Sequence, residues 1–327
     1  MNKRTTIKIL KYLFFLSLAL VLMYFAFRAV DFNQFIDGLQ STNYWLIAAS
    51  VAVGIVGYIF RALRWQILIN SLGYNISARN VYNATMIGYL ANFTIPRIGE
   101  IIRCTVLKKT DQIEFEKAFG TVIVERCYDL FFLFIFLIFT VLIRFNIFGV
   151  FISEKIYQPF IAKISSISLL FIIILIVVLI ALALVIFYIR KKIMKIIKGL
   201  ISGLKTGITM KNRGKFIFYT FLIYLCYWLT GYLVLKAIPT TATLDTIDAL
   251  FLFVIGAFGW VIPAQGGFGS YHILVALGLG VYGISYADGI IVATISHESQ
   301  VIFMILLGLA SLVMFFAVVR KLKNKTS

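Results

Sequence analysis

Two ten-residue stretches, T-I-P-R-I-G-E-I-I-R (Thr94 to Arg103) and V-I-P-A-Q-G-G-F-G-S (Val261 to Ser270), repeat one pattern, and it restricts the fold more than any other feature of the chain. Each puts a proline, and a glycine three residues later, at the end of an apolar run too short to cross a bilayer. Proline removes a helical N–H and clashes with the preceding turn, and glycine lacks a Cβ, so both break helices. Broken helices at membrane depth persist only where protein buries them or where they line a watery cavity. Interrupted apolar segments at matching places in two halves point to a transporter's binding region. Pro96 and Pro263 are 167 residues apart, about half of the 327-residue chain.

Composition puts those breaks in a membrane. The chain is 61% hydrophobic and 13% charged, and its polar stretches are too short for a separate water-soluble catalytic domain. The formal charge of +18 sits at the ends of apolar runs, where it orients helices and meets anionic headgroups. Nucleic acid is therefore not an expected partner. Cys104, Cys127 and Cys226 stand singly and read as small apolar side chains. Lys3, Arg4, Lys8 and Lys11 precede an apolar run from Tyr12 to Phe27 with no small-residue cleavage site, which reads as an uncleaved first span.

Full-length apolar runs fall at 7–28, 44–68, 118–143, 164–189, 216–237 and 289–319. Shorter pairs fall at 81–95 with 98–109 and at 248–262 with 267–282. If the short runs crossed fully, the basic loop from Arg97 to Lys117 would face away from the other basic loops, against the positive-inside rule. If each pair is a re-entrant hairpin, 25 basic residues face the cytoplasm, only Arg28, Arg144, Lys155, Lys163 and Lys236 fall outside, and Arg126 lies within a helix. The expected fold is an all-α polytopic membrane protein. It has six transmembrane helices and two re-entrant helical hairpins in one integral membrane domain. Inverted repeats cover about 1–150 and 160–320, a basic cytoplasmic connector lies at about 190–215, and both termini are cytoplasmic.

Charged groups inside such helices cost several kcal/mol and are seldom idle. Arg97, Glu100 and Arg103 follow the first break, and two guanidiniums around one carboxylate suit a phosphate. Glu125 and Asp129, four apart, share a face of an apolar helix with Arg126 beside them, and an internal pair with the hairpin arginines is expected. The alternative for this cluster is a structural ion pair. Arg61 and Arg64 end the second span, as interfacial anchors or as a catch for a lipid phosphate. His272, His297 and Glu298 form a third group, read as coupling or gating residues, with packed and hydrogen-bonded histidines as the alternative. No metal-ligand spacing is present, since H-E-S-Q lacks the second histidine of a zinc helix. Gly266, Gly267 and Gly269 let backbone approach a ligand, and Pro96, Gly99 and Pro263 are the expected hinges.

These residues resemble a known family. P-R-I-G-E-I-I-R, V-E-R-C-Y-D-L, P-A-Q-G-G-F-G-S and H-E-S-Q-V-I-F-M-I-L-L-G-L are similar to the transmembrane region of bacterial lysylphosphatidylglycerol synthetases, the flippase part of the multiple peptide resistance factor. The resemblance covers nearly the whole chain. It implies movement of a phospholipid or polyprenyl-linked lipid between leaflets, and it maps onto Pro96, Gly99, Glu100, Arg103, Pro263, Gly266, Gly267 and Gly269. No aminoacyl-transferase or glycosyltransferase domain is present, so the chain is not expected to make lysyl-lipid itself. Membrane lipids are the expected partners, with a lipid-synthesising enzyme as a further one. No cofactor is expected, and no nucleotide-binding loop is present to supply energy. A non-transporting accessory that presents lipid to an enzyme is the rival reading. An intramembrane enzyme is disfavoured, because no nucleophile–base pair stands out.

Overall fold

A computed structural model describes residues 3–153, 157, 158, 198, 209–262 and 264–326, and among them every regular element is helical. In chain order these are α1 (Lys3–Phe27), α2 (Phe32–Gln40), α3 (Tyr44–Asn70), α4 (Ala78–Asn92), α5 (Gly99–Asp111), α6 (Phe115–Ile143), α7 (Phe145–Ile152), α8 (Arg213–Ala237), α9 (Thr246–Val261), α10 (Ser270–Gly280) and α11 (Tyr286–Thr326). Helices α3, α6, α8 and α11 are long and apolar enough to cross a membrane, and α1 with α2, bent by 88°, gives a fifth candidate. The protein is a multi-pass membrane protein. The expected span at 164–189, most of the connector at 190–215, and Pro263 lie outside the described residues.

Two short helices were not expected. Asp31 caps α2 by accepting from the Asn33 and Gln34 amides, and α7 follows α6 after Arg144. Both are shorter than the window over which apolar periodicity becomes legible.

Each Pro-Gly stretch separates two helices that fold back on each other. In the first pair, Gly88 packs on Gly99 and Arg103, and Asn80 Nδ2 donates to Asp111 Oδ1 at 2.7 Å. That register is antiparallel. The break itself holds Arg97 at φ 64°, a left-handed conformation uncommon outside glycine, and the Gly99 amide donates to Asn92 Oδ1 at 2.8 Å. In the second pair, Gly259 packs on Tyr271 and Gly278 on Phe251 and Ile255, again antiparallel. Its break runs through Gly266, Gly267 and Gly269, all at positive φ, so glycine is needed there for the turn itself.

The two breaks touch. Arg97 Nη2 donates to the Val261 carbonyl at 2.8 Å, Gln265 Nε2 donates to the Thr94 carbonyl at 2.9 Å, and the Phe93 and Phe268 rings meet edge to face. Around them α3 and α8 pair antiparallel. Ser50 lies opposite Thr230, Gly57 opposite Cys226 and Arg64 opposite Thr220. Gly54 leaves room for Gln300 of α11, whose Nε2 donates to Ser50 Oγ at 3.3 Å. Small residues at such faces let helices approach where lipid offers no hydrophobic drive.

Buried apolar residues form two main cores. One gathers Trp65, Leu68, Ile87, Leu107 and Val122 from α3 to α6, and the other Val234, Phe251, Leu279 and Val292 from α8 to α11. Outward residues such as Leu20, Ile138, Leu142, Val313 and Phe316 are exposed and apolar, as a lipid-facing surface requires. Arg144, at the end of α6, pairs with Asp248 at 3.0 Å and with Asp245, and so fastens α6 to the start of α9. Burial acts to raise the Asp245 carboxyl. The Arg144 guanidinium and the Ile247 and Asp248 amides outweigh it and hold it at about 2.

Candidate functional site

The first site is a charged network between α3, α5 and α6. Glu125 lies ten residues into α6, which at ~1.5 Å per residue is about 15 Å along the axis from the helix start. It is fully buried and accepts from Arg103 Nη2 at 2.6 Å and from Arg64 Nη2 at 3.4 Å. Arg64, equally buried, also donates to Asp129 Oδ1 at 2.8 Å. Asp129 Oδ2 takes Arg61 at 3.2 Å and Arg126 at 3.3 Å, and Arg126 Nε lies 3.0 Å from Glu100 Oε1 without hydrogen-bond alignment. Four arginines face three carboxylates, so one positive charge is in excess.

Aromatic rings complete the setting. The Arg103 guanidinium lies 4.2 Å over Trp65, Arg61 lies over Tyr89 and donates to Tyr227 Oη at 3.0 Å, and Arg64 lies over Phe216. The network closes on one side and opens on the other: Arg64 and Glu125 are fully buried, whereas Glu100 is 31% and Arg126 39% exposed. The Nε of each of Arg61, Arg64, Arg103 and Arg126 is buried without a hydrogen-bond partner among the described residues. A buried N–H without an acceptor is costly, so the network has donor capacity to spare for an anion.

The expected bond between hairpin one and helix α6 is present as Arg103–Glu125. The expected sharing of Glu100 by Arg97 and Arg103 is not what the side chains do. Glu100 faces Arg126, and Arg97 is exposed at the contact between the breaks. Arg61 and Arg64, counted among cytoplasmic charges, instead reach inward to Asp129 and Glu125. Removing them and Arg103 from the count leaves 22 basic residues against five.

The second site is on hairpin two and α11. His297 Nε2 lies 2.8 Å from the Gly266 carbonyl, and its Nδ1 lies 3.0 Å from Glu298 Oε1. His272, fully buried on α10, places Nε2 3.5 Å from the same oxygen. The rings of Trp260, Phe268 and Tyr271 pack around His297. Gly266, Gly267 and Gly269 are buried; a Cβ on Gly266 would meet Phe93 and one on Gly269 would meet Leu22 of α1. Sequence spacing found no metal-ligand set here because the second histidine comes from a different helix, 25 residues earlier. The structure brings one ligand atom from each of His272, His297 and Glu298 within 4.8 Å of one another.

A family model described as the lysylphosphatidylglycerol synthase TM region matches residues 9–308. The glycosyltransferase AglD of Haloferax volcanii is 29% identical over 130 residues, which are 39% of this chain and 20% of that protein. The UPF0104 membrane protein MJ1595 of Methanocaldococcus jannaschii is 28% identical over 131 residues, 39% of this chain and 37% of that protein. The matches thus span a fifth and somewhat over a third of those relatives' lengths. No solved structure matches the chain.

Proposed function

Because the chain belongs to the family of the lysylphosphatidylglycerol synthase transmembrane region, we propose that it moves an anionic phospholipid or polyprenyl-linked lipid headgroup between leaflets, as a transporter and not an enzyme. The observation that carries this reading is the arginine network of α3, α5 and α6, with one positive charge in excess and a partly exposed edge at Glu100 and Arg126. A phosphate oxygen at the open edge, beside Arg126, meets the excess positive charge there. The acyl chains stay in bilayer, so no apolar tail passes through water.

The proposed architecture is six spans and two re-entrant hairpins in an inverted repeat, in the cytoplasmic membrane with both termini inside. Its support is positional. Tyr44 to Arg213, Ala78 to Thr246, Gly99 to Ser270 and Phe115 to Tyr286 are separations of 169, 168, 171 and 171 residues, so four elements recur in order. Matching helices α3 and α8 run antiparallel, as an inverted repeat requires. Hairpins entering from opposite faces and touching at their breaks give two gates around one pocket. Glu125 and Asp129 serve one gate, and His272, His297 and Glu298 the other.

Arg126→Ala separates function from folding, because its side chain is partly exposed and both its acidic partners keep other contacts or solvent. In proteoliposomes carrying a fluorescent anionic phospholipid, leaflet exchange should fall about tenfold or more, the worth of one charge-assisted hydrogen bond. A folded variant that exchanges lipid at the wild-type rate removes the phosphate from this site. The match to a glycosyltransferase favours a second reading, an accessory that presents lipid to a partner enzyme. Purified wild-type protein that binds lipid and leaves leaflet exchange at the protein-free rate selects it.

A further inference from the structure

We infer that His272, His297 and Glu298 bind a divalent transition metal of the zinc class. The histidines settle the ligand atoms. The Gly266 carbonyl can only accept, so the contact at 2.8 Å puts the His297 proton on Nε2. With Nε2 committed to that carbonyl, Nδ1 is the ring nitrogen that faces Glu298 Oε1, 3.0 Å away. A ring nitrogen and a carboxylate oxygen at that distance share a cation or a proton between them. A backbone carbonyl that fixes the far ring nitrogen is also the usual outer partner of a metal-bound histidine.

His272 supplies the independent observation. It is fully buried, and neither ring nitrogen has a hydrogen-bond partner among the described residues. Its Nε2 sits 3.5 Å from the same carboxylate oxygen, and the three ligand atoms lie within 4.8 Å of one another. Metal–ligand bonds of ~2.0–2.2 Å at tetrahedral angles separate ligand atoms by about 3.4 Å, which the two contacts bracket. Two imidazoles and one carboxylate suit Zn²⁺ or Co²⁺ over Mg²⁺ or Ca²⁺, which take oxygen ligands. The set leaves one tetrahedral position open for water or an anionic oxygen, on the side where Glu298 is 31% exposed. Trp260, Phe268 and Tyr271 close the remainder against water. The ion ties α10 to α11 directly behind the second break, through Gly266. Binding of this kind does not depend on lipid movement.

The test uses full-length protein purified without a polyhistidine tag, stripped with chelator and titrated with Co²⁺ or Zn²⁺. One equivalent per chain, the intense visible absorption of four-coordinate Co²⁺ and a raised unfolding midpoint are expected. His272→Ala should weaken binding at least tenfold and abolish the visible band. His272 is fully buried against Phe27, Tyr271 and His297, so the metal-free variant's unfolding midpoint is compared with that of the stripped wild type, and Glu298→Gln, at a partly exposed position, is the second variant. Glu298→Gln should weaken binding similarly. Absent or substoichiometric binding overturns the inference and leaves a shared proton between His297 and Glu298. Binding unchanged in His272→Ala also overturns it.

Discussion

Arg64→Ala should destabilise the protein by about 3 kcal/mol, read as a lowered unfolding midpoint in detergent. Breaking a buried ion pair from one side costs ~3–5 kcal/mol, because the remaining charge keeps its desolvation penalty and loses its partner. Arg64 contacts two such charges, Glu125 and Asp129. The lower end of the range applies, since Glu125 keeps Arg103 and Asp129 keeps Arg61 and Arg126. Arg64→Lys should lie between wild type and alanine, because an ammonium keeps the charge but cannot fork between two carboxylates. Pairing Arg64→Met with Asp129→Asn should recover much of the loss, as removing both members of a buried pair often does. An unchanged midpoint in Arg64→Ala would mean that the network does not hold α3 to α6.

Gly99→Ala should be at least as damaging, by about 3 kcal/mol or more. A Cβ at that position would stand 2.0 Å from the Gly88 carbonyl oxygen and 2.7 Å from Asn92 Oδ1. The first is backbone and cannot swing aside. The second already accepts the Gly99 amide, so relief in either direction opens the hairpin or breaks its cap. Insertion into packed structure costs ~1–3 kcal/mol when side chains can yield, and here they cannot. Gly120→Ala in α6, where a Cβ meets nothing within 4 Å, is the control. It should be neutral or stabilising by about 0.5–1 kcal/mol, since glycine is costly inside a helix. Equal effects of the two substitutions would contradict the close crossing of α4 and α5.

The two helix breaks were legible in sequence because proline and glycine leave a local mark. The breaks fell where P-R-I-G and P-A-Q-G-G-F-G put them, and the long helices started within a few residues of their apolar runs. The Arg103–Glu125 pair was legible because each residue stood out as a charge in an apolar run. The rest of the network was hidden. Spacing at i+3 and i+4 reports neighbours on one helix, while the partners of Glu125 and Asp129 include Arg61 and Arg64 from α3. Those arginines were read as headgroup anchors or as a catch for a lipid phosphate because they end an apolar run, and nothing local says which way they point. The same limit concealed the contact of Arg97 with the Val261 carbonyl, whereas His272, His297 and Glu298, grouped in sequence as rare titratable residues, do meet.

The account stands on two hairpins that open to opposite faces and meet at their breaks. Asn75, in the loop before α4, and Thr243, in the loop before α9, are both exposed and mark the open ends. Cys104, Cys127 and Cys226 are buried and can stay. Labelling Asn75→Cys and Thr243→Cys in oriented vesicles with a membrane-impermeant thiol reagent reads the two faces directly. Reaction of Asn75→Cys from the cytoplasmic side alone, and of Thr243→Cys from the opposite side alone, is the expected result. Reaction of both positions from one side would contradict the opposed hairpins and the pocket they enclose.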